Sequence, residues 1–362
     1  MKIAFITNKP YEDCETFIKA QVDGLPFKML HYWGRKIPFN IEATKPSILF
    51  LGFRKLGLIK KKSNLNRFVE DLHLKNIQLI FAQYGMMGEE VLKACKILNL
   101  PLVVHFHGHD AVRKSVLEHY ENYKKLFSYE RLTIVSVSKE MTKRLIAIGC
   151  PENKIAYNVY GPANNYLSLL PKYSQKQFIS IGRFVDKKAP HLTILAFNDV
   201  LKIHNDVVLI YAGDGVLLDS CKDLVEALGI SKKVKFPGRI TPNEYQDYLA
   251  ESLAYVQHSI EAQDGDMEGT PVSILEASAA GLPVISTIHA GIPDVILHEE
   301  TGLLSQERDI IAMTKHLLWV LENPQESQIM GMRGKERIEN NYTMSHHLNN
   351  LSKIIKIAKT KE

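Results

Sequence analysis

Apolar residues in this chain gather in short runs, and the runs alternate with stretches where apolar positions recur every three or four residues. The runs KIAFIT (2–7), IQLIFAQYG (77–85), LPLVVHFHGHDA (100–111), RLTIVSVS (131–138) and KIAYNVYGPAN (154–164) predict strands. Between them, TFIKAQVDGL, residues 88–98 and KEMTKRLIAIG predict helices, the last with Ser138 as a good N-cap. Residues 165–176 are polar, contain Pro171 and predict a link. The alternation then restarts. QFISIGRF (177–184), VVLIYAGDG (207–215), KVKFPG (233–238) and LAYVQHS (253–259) predict strands. HLTILAFNDVLKIH (191–204), LLDSCKDLVEALG, NEYQDYLAES, DIIAMTKHLLWVLEN and MSHHLNNLSKIIKIAKT predict helices. Such alternation implies α/β architecture with parallel sheets. The expectation is two Rossmann-like domains facing across a cleft, spanning residues 1–168 and 172–342. The amphipathic segment 344–362 is expected to cross back to the first domain.

One stretch stands apart, EAQDGDMEGTPVSILEASAAGLPVIST (261–287). It reads as a loop rich in Gly, Asp and Glu, a helix over about 271–280, a Gly-Leu-Pro turn and a short strand at 283–286. Glu268 and Glu276 bracket the helix start. The first turn of a helix offers free N–H groups and the positive dipole end, so it attracts anions. Gly269 permits close approach to the backbone, and Pro271 suits a first turn. A ligand with a phosphate over the amides and hydroxyls at both ends would meet a carboxylate at each end. An ordinary acidic helix start is the plainer alternative.

Composition narrows the class. With 362 residues, 45% hydrophobic and 23% charged, the chain has material for two ordinary domains. Cys14, Cys95, Cys150 and Cys221 are scattered without a CxxC pair, which speaks against a zinc site or a disulfide framework. No apolar stretch is long enough to span a membrane, and the N-terminal run is too short for a signal peptide. A cytoplasmic protein is expected. Residues 1–170 carry 25 Lys and Arg against 15 Asp and Glu, whereas the remainder carries 20 against 25. No aromatic and basic runs interleave as nucleic-acid binding would prefer. An anionic membrane surface or acceptor is the expected partner of the basic half, and SILFLGFRKLGLIKKK (47–62) is the segment that could reach such a surface. A core helix with a solvated basic end explains that segment equally well. The glycine fingerprint of dinucleotide binding is absent after the first strand, which argues against a nicotinamide oxidoreductase.

Read together, ETFIKAQV (15–22), HFHGHDA (105–111), SVSKEMTKRL (136–145), IGRFVDKKAPHLTILAF (181–197), AGDG (212–215) and DGDMEGTPVSILEASAAGLPVIST resemble a known family in order and spacing. The chain resembles a family 4 retaining glycosyltransferase of the GT-B fold, of the kind found in bacterial exopolysaccharide and lipopolysaccharide assembly. The resemblance covers nearly the whole length and is strongest over 177–305. It implies that Glu268 contacts hydroxyls of the donor sugar and Glu276 the nucleotide ribose. It places the amides of Gly269, Thr270, Val272 and Ser273 against sugar and diphosphate, and Arg183 and Lys188 on the diphosphate. Fixed cations there would stabilise the charge left on the diphosphate as the sugar–phosphate bond breaks. The family often has Gly where this chain has Ala189.

The same resemblance sets His107 beside the reactive carbon, and Arg239 and Ile240 beside the nucleobase. Thr16, Asp110, Asp264 and Asp266 are assigned to the acceptor side. If the strand ran on through residue 109, His105, His107 and His109 would share a face as a metal site does. No accompanying carboxylate pattern supports that, and the expectation is no metal and no cofactor, with a nucleotide diphosphate sugar, UDP-linked in the first instance, as co-substrate. The implied activity is transfer of a hexose to a saccharide or lipid-linked acceptor, at the inner membrane face. Two alternatives stay open at this stage: an epimerase- or phosphorylase-like GT-B enzyme, and a catalytically silent nucleotide-sugar-binding protein.

Overall fold

A computed structural model describes residues 1–13, 15–41 and 63–361. The basic segment 47–62, with its expected membrane contact, lies outside the described residues. Two six-stranded parallel sheets carry the fold. The first has the order β2-β1-β3-β4-β5-β6, with β1 Lys2–Thr7, β2 Lys28–Trp33, β3 Leu79–Gln83, β4 Leu102–His105, β5 Leu132–Ser136 and β6 Ile155–Tyr157. The second has the order β12-β11-β10-β7-β8-β9. Its strands are β7 Gln177–Ile181, β8 Val208–Ala212, β9 Val234–Lys235, β10 Ala254–Val256, β11 Val284–Thr287 and β12 Gly302–Ser305. Helices cover both faces of each sheet, so the central strands are apolar at every position rather than at alternate ones. Ile3, Ala4, Phe5 and Ile6 of β1, and Leu79, Ile80, Phe81 and Ala82 of β3, are all fully buried.

In each sheet the strand order reverses once, between β1 and β3 and between β7 and β10. Clefts form at the carboxyl ends of such strand pairs, because the flanking loops diverge to opposite faces. The loops that follow β7 and β10 contain Arg183, Lys188 and Gln257, and those that follow β3 and β4 contain Tyr84 and His107. In the second sheet the candidates therefore flank the reversal point; in the first, Tyr84 follows one strand of the reversal pair and His107 follows its neighbour β4.

The helix Met344–Thr360 begins beyond the second sheet and packs on the first. Its Leu351, Ile355 and Ala358 share a buried cluster with Ile3, Phe5, Ile18, Leu25, Phe81 and Val103. Burying each of the two larger side chains contributes roughly 1.5–3 kcal/mol. Thr343 caps this helix by accepting the His346 N–H at 3.1 Å.

The strand expected over 100–111 stops at His105. His107 lies in the following loop and His109 opens a short helical turn, so the three histidines do not share a strand face. Among the described residues no group of three or more His, Cys, Asp or Glu is arranged to hold a metal ion.

Candidate active site

The helix expected near 271–280 runs over Val272–Ala279, with Pro271 at its N-cap. Apolar Ile274, Leu275, Ala277 and Ala279 bury its inner side, which turns its first amides and Glu276 toward the cleft. Glu276 is half-buried, forms no described ion pair, and is lifted by burial to about 8. A carboxyl in that setting lacks the hydrogen-bond donors it would need to ionise comfortably.

Glu268 has the opposite environment. Burial alone would push its carboxyl up, but Lys188, Lys187 and His289 outweigh burial and hold it at about 2. Lys188 Nζ stands 3.2 Å from Glu268 Oε1 as an ion pair, and Oε1 has no other partner among the described residues. Lys188 also donates to Gln257 Oε1 at 3.0 Å. Tyr255 Oη donates to the same Gln257 oxygen at 2.8 Å, and Ser273 Oγ lies 2.9 Å from that hydroxyl. Gln257 and Tyr255 were not legible as site residues, although their alternation at a strand end with polar atoms on the helix-start side was a usable signal. Arg183 is exposed and within Coulomb reach of Lys188. The Arg183 charge therefore bears on Lys188, a repulsion that a bound anion would offset.

Glu268 is also fixed through its backbone. Its N–H donates to His289 Nε2 at 3.2 Å, and His289 Nδ1 pairs with Glu307 Oε1 at 2.6 Å. Glu307 Oε2 accepts the Glu261 N–H at 2.9 Å.

The first domain meets this loop directly. A Cβ on Gly269 would stand 2.6 Å from the His107 carbonyl oxygen and 2.6 Å from Val137 Cγ2, so only glycine fits. Thr270 Oγ1 donates to Val137 O at 2.7 Å, which ties the helix start to the end of β5. His107 is held from both ring nitrogens: Nδ1 lies 2.5 Å from Tyr160 Oη and Nε2 lies 2.8 Å from Gln83 Oε1. Burial, and the neighbouring His109 and His347, push its pKa well below the usual histidine range, so the ring is neutral.

The residues assigned to the acceptor side separate. Asp110 is fully buried, and its carboxylate accepts the N–H groups of Gly85, His107 and Gly108 at 3.0 Å each. It shapes the His107 loop and does not face the cleft. Asp264 forms an ion pair with Arg113 of the first domain at 2.6 Å. Asp266 pairs with the buried Lys187 at 3.1 Å, and Lys187 also donates to Met267 O at 2.9 Å. The DGD loop is thus a clasp across the domains and onto β7's loop. Thr16 is exposed at the start of the helix Thr16–Gly24. Its neighbour Phe17 sits with its ring 5.0 Å from that of His107. Arg239 is exposed and 3.4 Å from Asp214, and Ile240 is partly buried beside it.

Comparison with known proteins bears on the family and the fold. Residues 168–337 match the family model of glycosyl transferases group 1. The amylovoran biosynthesis glycosyltransferase AmsK of Erwinia amylovora is 29% identical over 297 residues, covering 81% of this chain and 72% of that protein. The putative colanic acid biosynthesis glycosyltransferase WcaL of Salmonella typhimurium is 31% identical over 247 residues, covering 66% of this chain and 60% of its own length. Among solved structures, HepE of Anabaena in complex with UDP and glucose superposes with a TM-score of 0.74 at 16% identity, over 98% of this chain and 99% of that one. The lipopolysaccharide outer core galactosyltransferase WaaB gives 0.69 at 18% identity, with 99% of each chain covered. The chain thus has the GT-B fold, and its residues 168–337 match the glycosyl transferases group 1 family model.

Proposed function

We propose that this protein transfers a hexose from a nucleotide diphosphate sugar to a saccharide or lipid-linked acceptor during cell-surface polysaccharide synthesis, with retention of anomeric configuration and without a metal ion. The observation that carries this reading is the pair of unlike carboxylates around one helix start. Glu268 is ionised and paired with Lys188 at 3.2 Å, whereas Glu276 is lifted by burial and has no ion-pair partner among the described residues. In this reading the spare lone pairs of Glu268 accept donor-sugar hydroxyls. Ribose hydroxyls supply the donors that Glu276 lacks, and the diphosphate lies over the amides of Gly269 to Ser273. Arg183 and Lys188 then neutralise the charge that grows on the leaving diphosphate, the role a divalent cation would otherwise fill. Arg239 and Ile240 flank the nucleobase. His107 approaches from the first domain, with its carbonyl against Gly269.

Retention fits a front-face course in which the leaving phosphate receives the acceptor's proton. Glu268 is committed to an ion pair and is poorly placed to act as a free nucleophile. UDP is the first nucleotide to test, since HepE, which shares the fold, binds UDP and UDP-glucose. The phosphatidylinositol monomannoside mannosyltransferase of Mycobacterium tuberculosis, 26% identical over 159 residues, is GDP-mannose-dependent, so GDP is the necessary comparison. No described helix is long and apolar enough to cross a membrane; the proposed location is the cytoplasmic side, peripheral to the membrane.

A thermal-shift screen against UDP, GDP, ADP and their common sugars tests the donor. A ligand at about 100 times its Kd adds ~2.7 kcal/mol to stability. Transfer assays on Glu268→Ala with the preferred donor, with and without EDTA, then test the site. Wild-type transfer by that variant rejects the assignment of Glu268, and binding without any transfer or hydrolysis rejects the enzyme reading.

A further inference from the structure

Behind His107 lies a chain of buried amides and imidazoles whose hydrogen bonds can run in only one direction. It begins on the C-terminal helix. The Val159 carbonyl can only accept, so His347 Nδ1, 2.8 Å away, carries a proton and donates it. Asn158, which also approaches Nδ1, donates to the His347 carbonyl at 3.2 Å. His347 Nε2 is then bare and accepts from Gln21 Nε2 at 3.2 Å. The second hydrogen on Gln21 Nε2 goes to His105 Nδ1, also at 3.2 Å. Gln21 Oε1 accepts from Gln83 Nε2 at 3.0 Å. That fixes the Gln83 amide, whose oxygen must face His107 Nε2 at 2.8 Å. His107 therefore carries its proton on Nε2, and its Nδ1 accepts from the Tyr160 hydroxyl. Gln21, Gln83 and His105 are entirely inaccessible to water, and His347 and Tyr160 nearly so. No solvent can substitute for a missing partner, so an error at one link propagates to the next.

We infer that His347, Gln21 and Gln83 are positioning residues that lock His107 as the neutral Nε2–H tautomer. This inference rests on the proposed reading that His107 serves the transfer. Its purpose is electrostatic. Breaking a glycosidic phosphate bond develops positive charge at the anomeric carbon, and an imidazolium beside that carbon would oppose it. The relay occupies both ring nitrogens of His107 and leaves no free lone pair to take up a proton. It also couples the crossing helix, which closes the first domain, to the residue nearest the donor loop.

The experiment is 15N NMR of the histidine side chains in the full-length protein at pH 7.5, with His107 assigned by comparison with His107→Gln. Transfer kinetics are measured in parallel. The wild type shows Nε2 protonated and Nδ1 bare. Gln21→Leu removes the oxygen that pins Gln83 and lets that amide turn over. His107 then shifts toward the Nδ1–H form, and kcat falls about tenfold or more while the donor KM stays within about twofold. His347→Phe weakens the same link and shifts His107 in the same direction. Gln21→Glu keeps an acceptor for Gln83 while removing the N–H groups given to His347 and His105, so retention of the Nε2–H tautomer there shows that the Gln83 link sets it and separates loss of that link from loss of packing. An unchanged His107 tautomer in Gln21→Leu, or an Nδ1–H wild type, overturns the inference. A tautomer that switches with no change in kcat overturns the positioning role and removes His107 from the proposed site, while the separate test on Glu268 still stands.

Discussion

Replacing Lys188 with methionine isolates the buried ion pair at the proposed donor site. Lys188 and Glu268 stand 3.2 Å apart with side chains 12% and 10% exposed, so neither is well solvated. Glu268 is held at about 2 against an ordinary 4.5. At ~1.4 kcal/mol for each tenfold change in proton affinity, its surroundings favour the carboxylate by about 3 kcal/mol. Lys188 points the other way, because burial pulls its ammonium below the usual lysine value despite Glu268. Part of what the glutamate gains is therefore offset by what the lysine loses. Lys187 and His289 supply a further share, so we assign the pair itself about 2 kcal/mol. In a domain of this size that corresponds to a fall in Tm of roughly 4–8 °C at pH 7 for Lys188→Met. The depressed pKa means that Glu268 contributes its stability above pH 4.5, and that this is lost as pH falls toward 2. The deficit of Lys188→Met should therefore narrow as pH drops below about 5. Adding Glu268→Gln to Lys188→Met should recover most of the loss, because no uncompensated charge remains. The assay is thermal unfolding of the unliganded wild type, both single variants and the double variant from pH 7 to pH 4. Single effects that add to within about 0.5 kcal/mol at every pH would refute the reasoning.

Three further outcomes follow from the same geometry. Burial lifts Glu276 to about 8, so its favourable contribution, complete below 4.5, is lost as pH rises through 8; Glu276→Gln should raise Tm at pH 9 far more than at pH 5 while weakening nucleotide binding, and parallel Tm–pH curves count against it. Gly269→Ala pushes a methyl group into the His107 carbonyl. Displacement of the donor loop by even ~1 Å should cost about 100-fold in transfer, with circular dichroism unchanged, and near-normal activity would mean that the loop tolerates the shift. The Arg113–Asp264 pair is 44% and 45% exposed, worth at most ~1 kcal/mol. Asp264→Ala should therefore change transfer less than about fivefold, with the difference gone in 1 M salt; a larger, salt-insensitive loss would give Asp264 a direct role with the acceptor.

Much of the fold is visible in the apolar runs, since strands covered on both faces leave a continuous apolar signature. KIAFIT and LPLVV show it plainly. The edge strands β2 and β12 do not: KMLHYW mixes polar and apolar positions on a half-exposed strand, and GLLS is only four residues long. In KVKFPG, Pro237 removes a ladder donor, and only Val234–Lys235 pair. The geometry of the proposed donor side was readable because Glu268, Glu276 and the helix start between them are local in sequence. The groups that support it are not. Gln21 meets His347 across 326 residues, and His289 reaches Glu307 only because β11 and β12 are neighbours. The side-chain direction of Asp110 was equally hidden, since nothing in H-G-x-D says whether its carboxylate serves an acceptor or the three amides it binds.

The crossing helix Met344–Thr360 has a consequence for how this architecture can be taken apart. Severing the chain at the 165–176 link releases a first half whose Ile3, Phe5 and Ile18 have lost the cover of Leu351, Ile355 and Ala358. In construction, the second half is an insert within the first domain and not an appendage to it. A chimera that exchanges donor specificity with a relative therefore needs two joints, one near residue 170 and one near residue 343. A single joint would mate the first sheet with a foreign closing helix and an unmatched partner for Gln21.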